Sequence, residues 1–417
     1  MIQTDVCVLG AGPGGVAASL QLAKLGIPNI VVDKAVFPRD KICGDAVSGK
    51  VVWLFNQIEP AIFKDFTTRN DLKANFWGVK FIYPNKTEMQ VDYHDEGTTV
   101  EELPFLKPSG FISKRENFDN FLVNFLKKEP LIDLKENTPI TNIERISDGF
   151  ILSTPDNLTQ IKAKLVIAAD GAQSKFARQI GHIKKEARHY SGAIRAYYKN
   201  VKGFDDFNHI ELHYLKEFLP GYLWVFPLPN GEANVGAGIR TDLIKKNNTN
   251  LKKDMLHILK EHPRFKERFK DAELVGNIRG FGLPLGSKKR KISGNNYMLI
   301  GDAASLIDPL SGEGIGNAAI SGRFAALQAA KAIQENDFSE AFLGEYDKAV
   351  YDKLWKELKI SSQLQNAFQY GKVITFFAKR LSKNKQFLEI LSAMFKDVDL
   401  RKKLRNPFFY FKLLFNR

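Results

Sequence analysis

Asp5-Val-Cys-Val-Leu9-Gly10-Ala-Gly12-Pro13-Gly14-Gly15, continued through a helical pattern to Ile30-Val-Val32-Asp33, is the stretch that decides the fold. A short apolar run ends in a glycine turn. Val16, Leu20, Ala23 and Leu25 then recur on one side of a helix that stops near Gly26, and a second apolar strand closes on an acid. Each part has a physical task. Gly10 permits a tight turn, Gly12 lets the backbone approach a pyrophosphate, and Gly15 lets helix and strand pack closely. The N-terminus of the helix, with Pro13 and Gly14 in its first turn, offers free N–H groups and the positive end of its dipole to phosphates. Asp33, followed by Lys34, stands where a ribose hydroxyl needs an acceptor. The unit predicts a dinucleotide site; it does not choose between FAD and NAD.

Two later segments bear on that choice. Leu165-Val-Ile-Ala-Ala169 reads as a buried strand running into Asp170-Gly171. Tyr297-Met-Leu-Ile300 reads as another, running into Gly301-Asp302. Then come Asp308-Pro309-Leu-Ser-Gly312-Glu-Gly314-Ile315-Gly316-Asn317 and a helical pattern from Ala318 to about Gln334. A strand that ends in Gly-Asp can present a carboxylate to a polyol. A glycine loop before a helix presents N–H groups to a ring edge or a phosphate. These motifs, in this order, resemble the para-hydroxybenzoate hydroxylase-like flavoproteins. The resemblance implies FAD, with Asp302 on the ribityl chain and Gly312, Gly314, Ile315, Gly316 and Asn317 bordering the isoalloxazine. Asp170, Gly171, Gly301 and Pro309 fall in the same motifs, and Arg39 is grouped with the cofactor residues. Arg115, in Lys114-Arg115-Glu-Asn-Phe-Asp119, matches the family's arginine that approaches FAD; by itself it reads as an arginine on a helix surface.

Two more segments narrow the branch. Pro220-Gly-Tyr222-Leu-Trp224-Val-Phe226-Pro227 alternates with period two, so its three rings share a sheet face. Asn230-Gly231 supplies a turn, and Glu232 to Ile239 returns carrying Gly236 and Gly238. A two-residue turn sets those glycines opposite Val225 and Leu223; a three-residue turn sets them opposite Trp224 and Tyr222. An aromatic row can line a channel for a long apolar ligand, or it can be ordinary core. Glycine in a strand often marks close approach by a ligand or another backbone. The hairpin is similar to the YxWxFP…GxG substrate-binding motif of the geranylgeranyl reductases. The segment Lys41-Ile-Cys43-Gly44-Asp45 resembles theirs as well, which implies Cys43, Gly44 and Asp45 beside the flavin. Taken alone, Cys43 is as well read as a small buried hydrophobe.

The fold class expected is α/β (α+β): a Rossmann-type FAD domain of the para-hydroxybenzoate hydroxylase kind with an interleaved antiparallel-sheet substrate domain and a helical C-terminal region. The boundaries expected are 1–75, 105–180 and 275–330 for the FAD domain, 76–104 and 181–274 for the substrate domain, and 331–417 for the helical region. The resemblance implies hydride reduction of carbon–carbon double bonds in an isoprenoid chain, with Tyr222, Trp224, Phe226, Pro227, Gly236 and Gly238 at the substrate and Cys43 and Tyr222 as the catalytic candidates. Electrons would come from NAD(P)H or ferredoxin. The rivals are a monooxygenase on the same fold, which would consume oxygen, and a non-catalytic protein binding FAD and lipid. Halogenation is disfavoured because Leu223 stands where a halogenase hairpin carries a second tryptophan.

Of the net charge of +14, residues 372–417 carry 12 Lys+Arg against 3 Asp+Glu, or +9, leaving +5 for the rest. That tail also holds Asn406-Pro-Phe-Phe-Tyr-Phe-Lys-Leu-Leu-Phe415. It reads either as a dock for an anionic membrane surface or as a helix packed on the body. No nucleic-acid module accompanies the charge, and no metal-ligand spacing stands out. Two cysteines, no apolar stretch of spanning length and a strand starting near Asp5 predict a cytoplasmic protein, with a peripheral membrane position as the alternative.

Overall fold

The structure is a computed structural model that describes residues 1–95, 97–106, 108, 110–382 and 388. Most of the basic aromatic tail therefore lies outside the described residues. The first sheet is built on parallel strands whose near-continuous apolar runs suit burial on both faces. Its order is Ser293–Gly294, Tyr297–Leu299, Gln160–Ala168, Ile2–Leu9, Asn29–Val32 and Ile132–Lys135. Ile2–Leu9 is central: Cys7 is paired with Val166 on one side and with Ile30 on the other. Strands adjacent in space are thus far apart in sequence, as the separated motifs require. Cys7, fully buried in this strand, has its thiol pKa pushed up to about 12 by burial.

The second sheet runs Glu273–Pro284, Tyr190–Lys199, Glu232–Arg240, Tyr222–Pro227, Ile210–His213, Gly78–Ile82 and Glu88–Asp92, antiparallel except where Ile210–His213 meets Gly78–Ile82. The strand Glu273–Pro284 pairs with Tyr190–Lys199 from Glu273 to Pro284. The boundary expected at 274/275 therefore falls inside a strand of this sheet, and the pairing moves it beyond Pro284. A small sheet of Ala46–Ser48, Gly110–Ile112 and Ala74–Phe76 is the third.

Helix Pro13–Lys24 lies against helix Ile315–Glu335, and a Cβ at Gly322 would come within 2.3 Å of the Gly14 carbonyl oxygen. That contact joins the first glycine motif to the last. The long helix Glu340–Phe368 begins at Ser339, whose hydroxyl accepts from Phe342 N. After it, Gly371–Leu381 buries Ile374 and Ala378 with Tyr83, Met89, Tyr214 and Leu219. Leu388 packs against the same cluster, so the start of the tail, at least, lies on the second sheet rather than apart from the body.

Candidate functional site

The turn after Ile2–Leu9 is shaped by contacts between backbone and backbone. Gly10 has φ 106°, and a Cβ on Gly15 would sit 1.9 Å from the Gly10 carbonyl oxygen. At Gly12, the N-cap of helix Pro13–Lys24, a Cβ would meet nothing within 4 Å. The surface where a pyrophosphate would approach is therefore clear while the turn beneath it is tight. Asp33 accepts from Ala11 N at 2.8 Å and Ala35 N at 2.9 Å, which fixes the carboxylate at the mouth of the turn; Lys34 beside it is exposed. Asp170 accepts from Lys175 N through Oδ2, and its Oδ1 is buried without a hydrogen-bond partner among the described residues. Burial raises the Asp170 pKa against its hydrogen bonds. Asp302 follows the Tyr297 strand and pairs with Lys41 Nζ at 3.2 Å.

The loop from Asp308 to Asn317 is held from beneath. Asp308 Oδ1 accepts from Leu310 N, Ser311 N and Ser311 Oγ, and Gly312 N donates to the Asp308 carbonyl at 3.0 Å. Gln365 donates to the Pro309 carbonyl, and Glu313 accepts from Gly316 N. Lys50, 5 % exposed, ties the loop to helix Glu340–Phe368 by donating to Asn317 Oδ1 and Glu357 Oε1, both at 3.1 Å. Lys50 and Gln365 carried no local signal in the sequence: a lysine beside a helix start and a glutamine in a long helix are ordinary surface residues until the fold turns them inward.

The hairpin register settles the turn. Trp224 is opposite Gly236 and Tyr222 opposite Gly238, because three residues, Pro229-Asn230-Gly231, make the loop. The missing side chain at Gly236 is filled by Trp224, whose Cζ2 lies 2.2 Å from where a Cβ would be, with Ile194 O at 2.3 Å on the other side. Gly236→Ala is accordingly expected to displace the indole and cost about 1–3 kcal/mol of stability. Urea unfolding of variant and wild type checks this, and equal midpoints would contradict the packing described.

Trp224 and Phe226 are buried in a cluster with Phe76, Ile112 and Tyr197, and Tyr222 is packed at its side. The row reaches both segments expected at the flavin. A Cβ on Gly44 would lie 3.2 Å from Phe226 Cε2, and Tyr222 Oη donates to the Ser311 carbonyl of the glycine loop. Burial raises the Tyr222 pKa, so this hydroxyl keeps its proton. Pro227 closes the strand.

Asn234 was missed in the sequence, although a polar residue opposite Phe226 in an otherwise small and apolar strand was the available signal. It accepts from Trp224 Nε1 at 2.8 Å and donates to the Cys43 carbonyl and to Asp45 Oδ2, both at 2.8 Å. Tyr197 Oη also donates to Asp45 Oδ2, at 2.7 Å, while Asp45 Oδ1 is buried without a hydrogen-bond partner among the described residues. Burial raises the Asp45 pKa to about 7 against these bonds and the charges of Arg195 and Arg115. Asp45 thus sits under the Cys43–Gly44 loop as its anchor.

Arg115 is corrected from a surface residue to a buried one: 3 % exposed, it donates through Nε and Nη2 to both oxygens of Asp119 at 2.7 Å. Burial works against its charge, yet Asp119 and the Cys43 sulfur hold its pKa above the ordinary value. Asp119 also accepts from Arg39 at 2.7 Å. Arg115 and Arg39 therefore share one carboxylate beside Cys43, the sulfur of which is half-buried in its loop.

These residues fit FAD. A cleared helix N-terminus, an orphaned carboxylate oxygen on Asp170, Asp302 and the braced glycine loop are distinct features gathered at the C-terminal ends of the parallel strands. Comparisons with known proteins agree. The family model described as FAD binding domain matches residues 3–349. A digeranylgeranylglycerophospholipid reductase of Thermoplasma volcanium is 31 % identical over 355 residues, covering 84 % of this chain and 83 % of its own. A menaquinone reductase of Mycolicibacterium smegmatis is 30 % identical over 334 residues, covering 78 % and 76 %. Among solved structures, a geranylgeranyl bacteriochlorophyll reductase-like protein of Thermoplasma acidophilum superposes with a TM-score of 0.80 at 23 % identity, over 97 % of this chain and 99 % of that one.

Proposed function

The chain belongs to the FAD binding domain family and to its geranylgeranyl reductase branch, a group of FAD-dependent oxidoreductases, and from that premise we propose that it saturates carbon–carbon double bonds in the isoprenoid chain of a lipid. The observation that carries the proposal is the placement of Tyr222, Trp224 and Phe226 between the Cys43–Asp45 loop and the Pro309–Gly314 loop, the two segments expected to border the flavin ring. An aromatic wall at that point suits an unsaturated hydrocarbon chain. The relatives named for a digeranylgeranyl lipid and for menaquinone act on compounds that share such a chain and differ in their head groups.

Bound and reduced, FAD would supply the hydride. Gly10, Gly12, Pro13, Gly14, Gly15 and Asp33 would hold its dinucleotide end, Asp302 its ribityl chain, and Gly312 to Asn317 its ring. The protein's own part is to hold the alkene against the ring, exclude water and hold a proton near the second carbon. Trp224 is fixed for that by Asn234. Tyr222 Oη and Cys43 Sγ are the two groups we assign to the proton, Tyr222 keeping its own by burial and Cys43 lying against Arg115. Electrons reach the flavin from NAD(P)H or ferredoxin. The basic aromatic segment 372–417 would bring the enzyme to the membrane face where such a lipid resides; among the described residues no helix is long and apolar enough to cross one.

The test is anaerobic. The purified protein is reduced, a geranylgeranyl lipid is added, and flavin absorbance is followed. Reoxidation without oxygen, with a product heavier by two hydrogens per double bond, is the expected result. Reoxidation only on admission of oxygen would replace the reductase by a monooxygenase. In the same assay Trp224→Ala is expected to be about 100-fold slower, the scale of loss from a misplaced reactant; turnover at the wild-type rate would remove the aromatic wall from the mechanism.

A further inference from the structure

At the far edge of the second sheet, three residues that sequence spacing could not associate come together. Asp92 ends the strand Glu88–Asp92, His94 follows it, and His209 precedes the strand Ile210–His213. The strand Gly78–Ile82 lies between, pairing Gly78 with Asp92 and Val79 with Ile210. A Cβ at Gly78 would fall 2.5 Å from His209 Cδ2, so the absence of a side chain there makes the room that the imidazole occupies.

The hydrogen bonds orient both rings. His94 Nδ1 lies 3.1 Å from the Asp95 carbonyl, which can only accept, so Nδ1 carries a proton, and Nε2 is the nitrogen turned toward Asp92. His94 Nε2 is buried, has no hydrogen-bond partner among the described residues, and lies 3.8 Å from Asp92 Oδ1. The ring itself is stacked on Phe207, with centroids 4.5 Å apart. His209 Nδ1 is 2.9 Å from Asp205 Oδ1, and its Nε2 is 2.8 Å from the same Asp92 oxygen. Asp205 is in turn held by Lys80. Asp92 Oδ1 also accepts from Gln90 Nε2 at 2.8 Å, so one carboxylate oxygen gathers Gln90, His209 and the edge of His94.

We propose that Asp92, His94 and His209 bind a divalent transition-metal ion of the zinc class. Their ligating atoms lie within 4.8 Å of one another, a spread that small side-chain rotations bring to the coordination distance of about 2 Å. Two imidazoles and one carboxylate are a donor set that zinc takes with a fourth position open. Each ring's second nitrogen is already on an oxygen, the Asp95 carbonyl or the Asp205 carboxylate, which is the support a ligating histidine requires. Binding displaces the proton that His209 Nε2 shares with Asp92. His94 and Asp95 also line, with Trp53, Trp77 and Tyr93, a cleft open to solvent, which gives the ion its way in. The sequence suggested no metal; the sheet register creates the cluster.

The experiment uses the full chain with its flavin, freed of metal by a chelator and titrated with Zn2+, then with Co2+. One equivalent of Zn2+ and the ligand-field bands of four-coordinate Co2+ are expected. His94→Gln should abolish both while flavin absorbance shows the fold intact, and Asp205→Asn should weaken Zn2+ about 10–100-fold. Should His209→Asn fail to fold, His94→Gln carries the test without it. No Zn2+ uptake by the wild type, or equal uptake by His94→Gln, would overturn the assignment.

Discussion

Gly15→Ala is expected to leave the purified chain without FAD. The added Cβ would lie 1.9 Å from the Gly10 carbonyl oxygen and 3.0 Å from its carbon. Both are backbone, so no flexible side chain can give way. The helix Pro13–Lys24 must retreat from the strand Ile2–Leu9, and its N-terminus then no longer meets the phosphates in register. Since about 1.4 kcal/mol is tenfold in affinity, even a modest misfit of a few kcal/mol lowers FAD binding about 100-fold. Flavin-to-protein ratio by absorbance is the measurement, and a stoichiometric ratio in the variant would contradict the reading of this turn. Gly12→Ala is the matched control. Its Cβ meets no protein atom within 4 Å, so stability without FAD should be that of the wild type while FAD affinity still falls. The pair separates a clash within the protein from a clash with the ligand.

The second large effect is on stability against pH. Asp45 is fully buried, and burial raises its pKa from 3.8 to about 7, against the bonds from Tyr197 and Asn234 and the charges of Arg195 and Arg115. A carboxyl whose pKa is higher in the folded state binds its proton more tightly there. Its contribution is complete below the unfolded pKa of 3.8 and is lost as pH rises to about 7, beyond which it changes no further. The span is roughly 4 kcal/mol, at about 1.4 kcal/mol per pKa unit. Asp45→Asn, which suits the left-handed backbone at this position (φ 66°), keeps an oxygen for Tyr197 and Asn234 and removes the titration. Urea unfolding of the two proteins from pH 4 to pH 8 is expected to show the wild type losing stability relative to the variant by that amount. Parallel curves would mean that Asp45 ionises as it does in water.

What could be read in advance was what neighbours in sequence enforce. The turn at Gly10–Gly15, the Gly-Asp strand ends and the period-two aromatic row are local patterns, and each lies where its pattern implied. The hairpin register was open because two- and three-residue loops are both compatible with Asn230-Gly231; pairing with Tyr190–Lys199 fixes the three-residue form. Asn234 and Asp45 are 189 positions apart, and nothing in either segment announces the other. Arg115 read as a surface residue because an arginine four positions before an aspartate is ordinary on an exposed helix; the Phe63–Phe66–Phe111 cluster packing against Phe118 is what encloses that helix. The boundary near 275 missed because the strand Glu273–Pro284 is an edge of its sheet, no more than half-buried over nearly all its length, and its apolar residues are interrupted by glycines, Asn277 and Arg279, so it lacks the apolar run that marked the others.

The order of strands in the first sheet has a bearing on how the protein is made. During synthesis the strand Ile2–Leu9 emerges with only Asn29–Val32 as a neighbour, and its other flank stays bare until Gln160–Ala168 has left the ribosome. The loop through Asn317 comes later still, so the nascent chain cannot close round a flavin until about 300 residues beyond the first glycine motif have been made. Pairings of such long range form slowly and expose apolar strands meanwhile. Riboflavin-starved cells should therefore accumulate this protein as aggregate rather than as a stable apo form, a cost written into the topology rather than into any single residue.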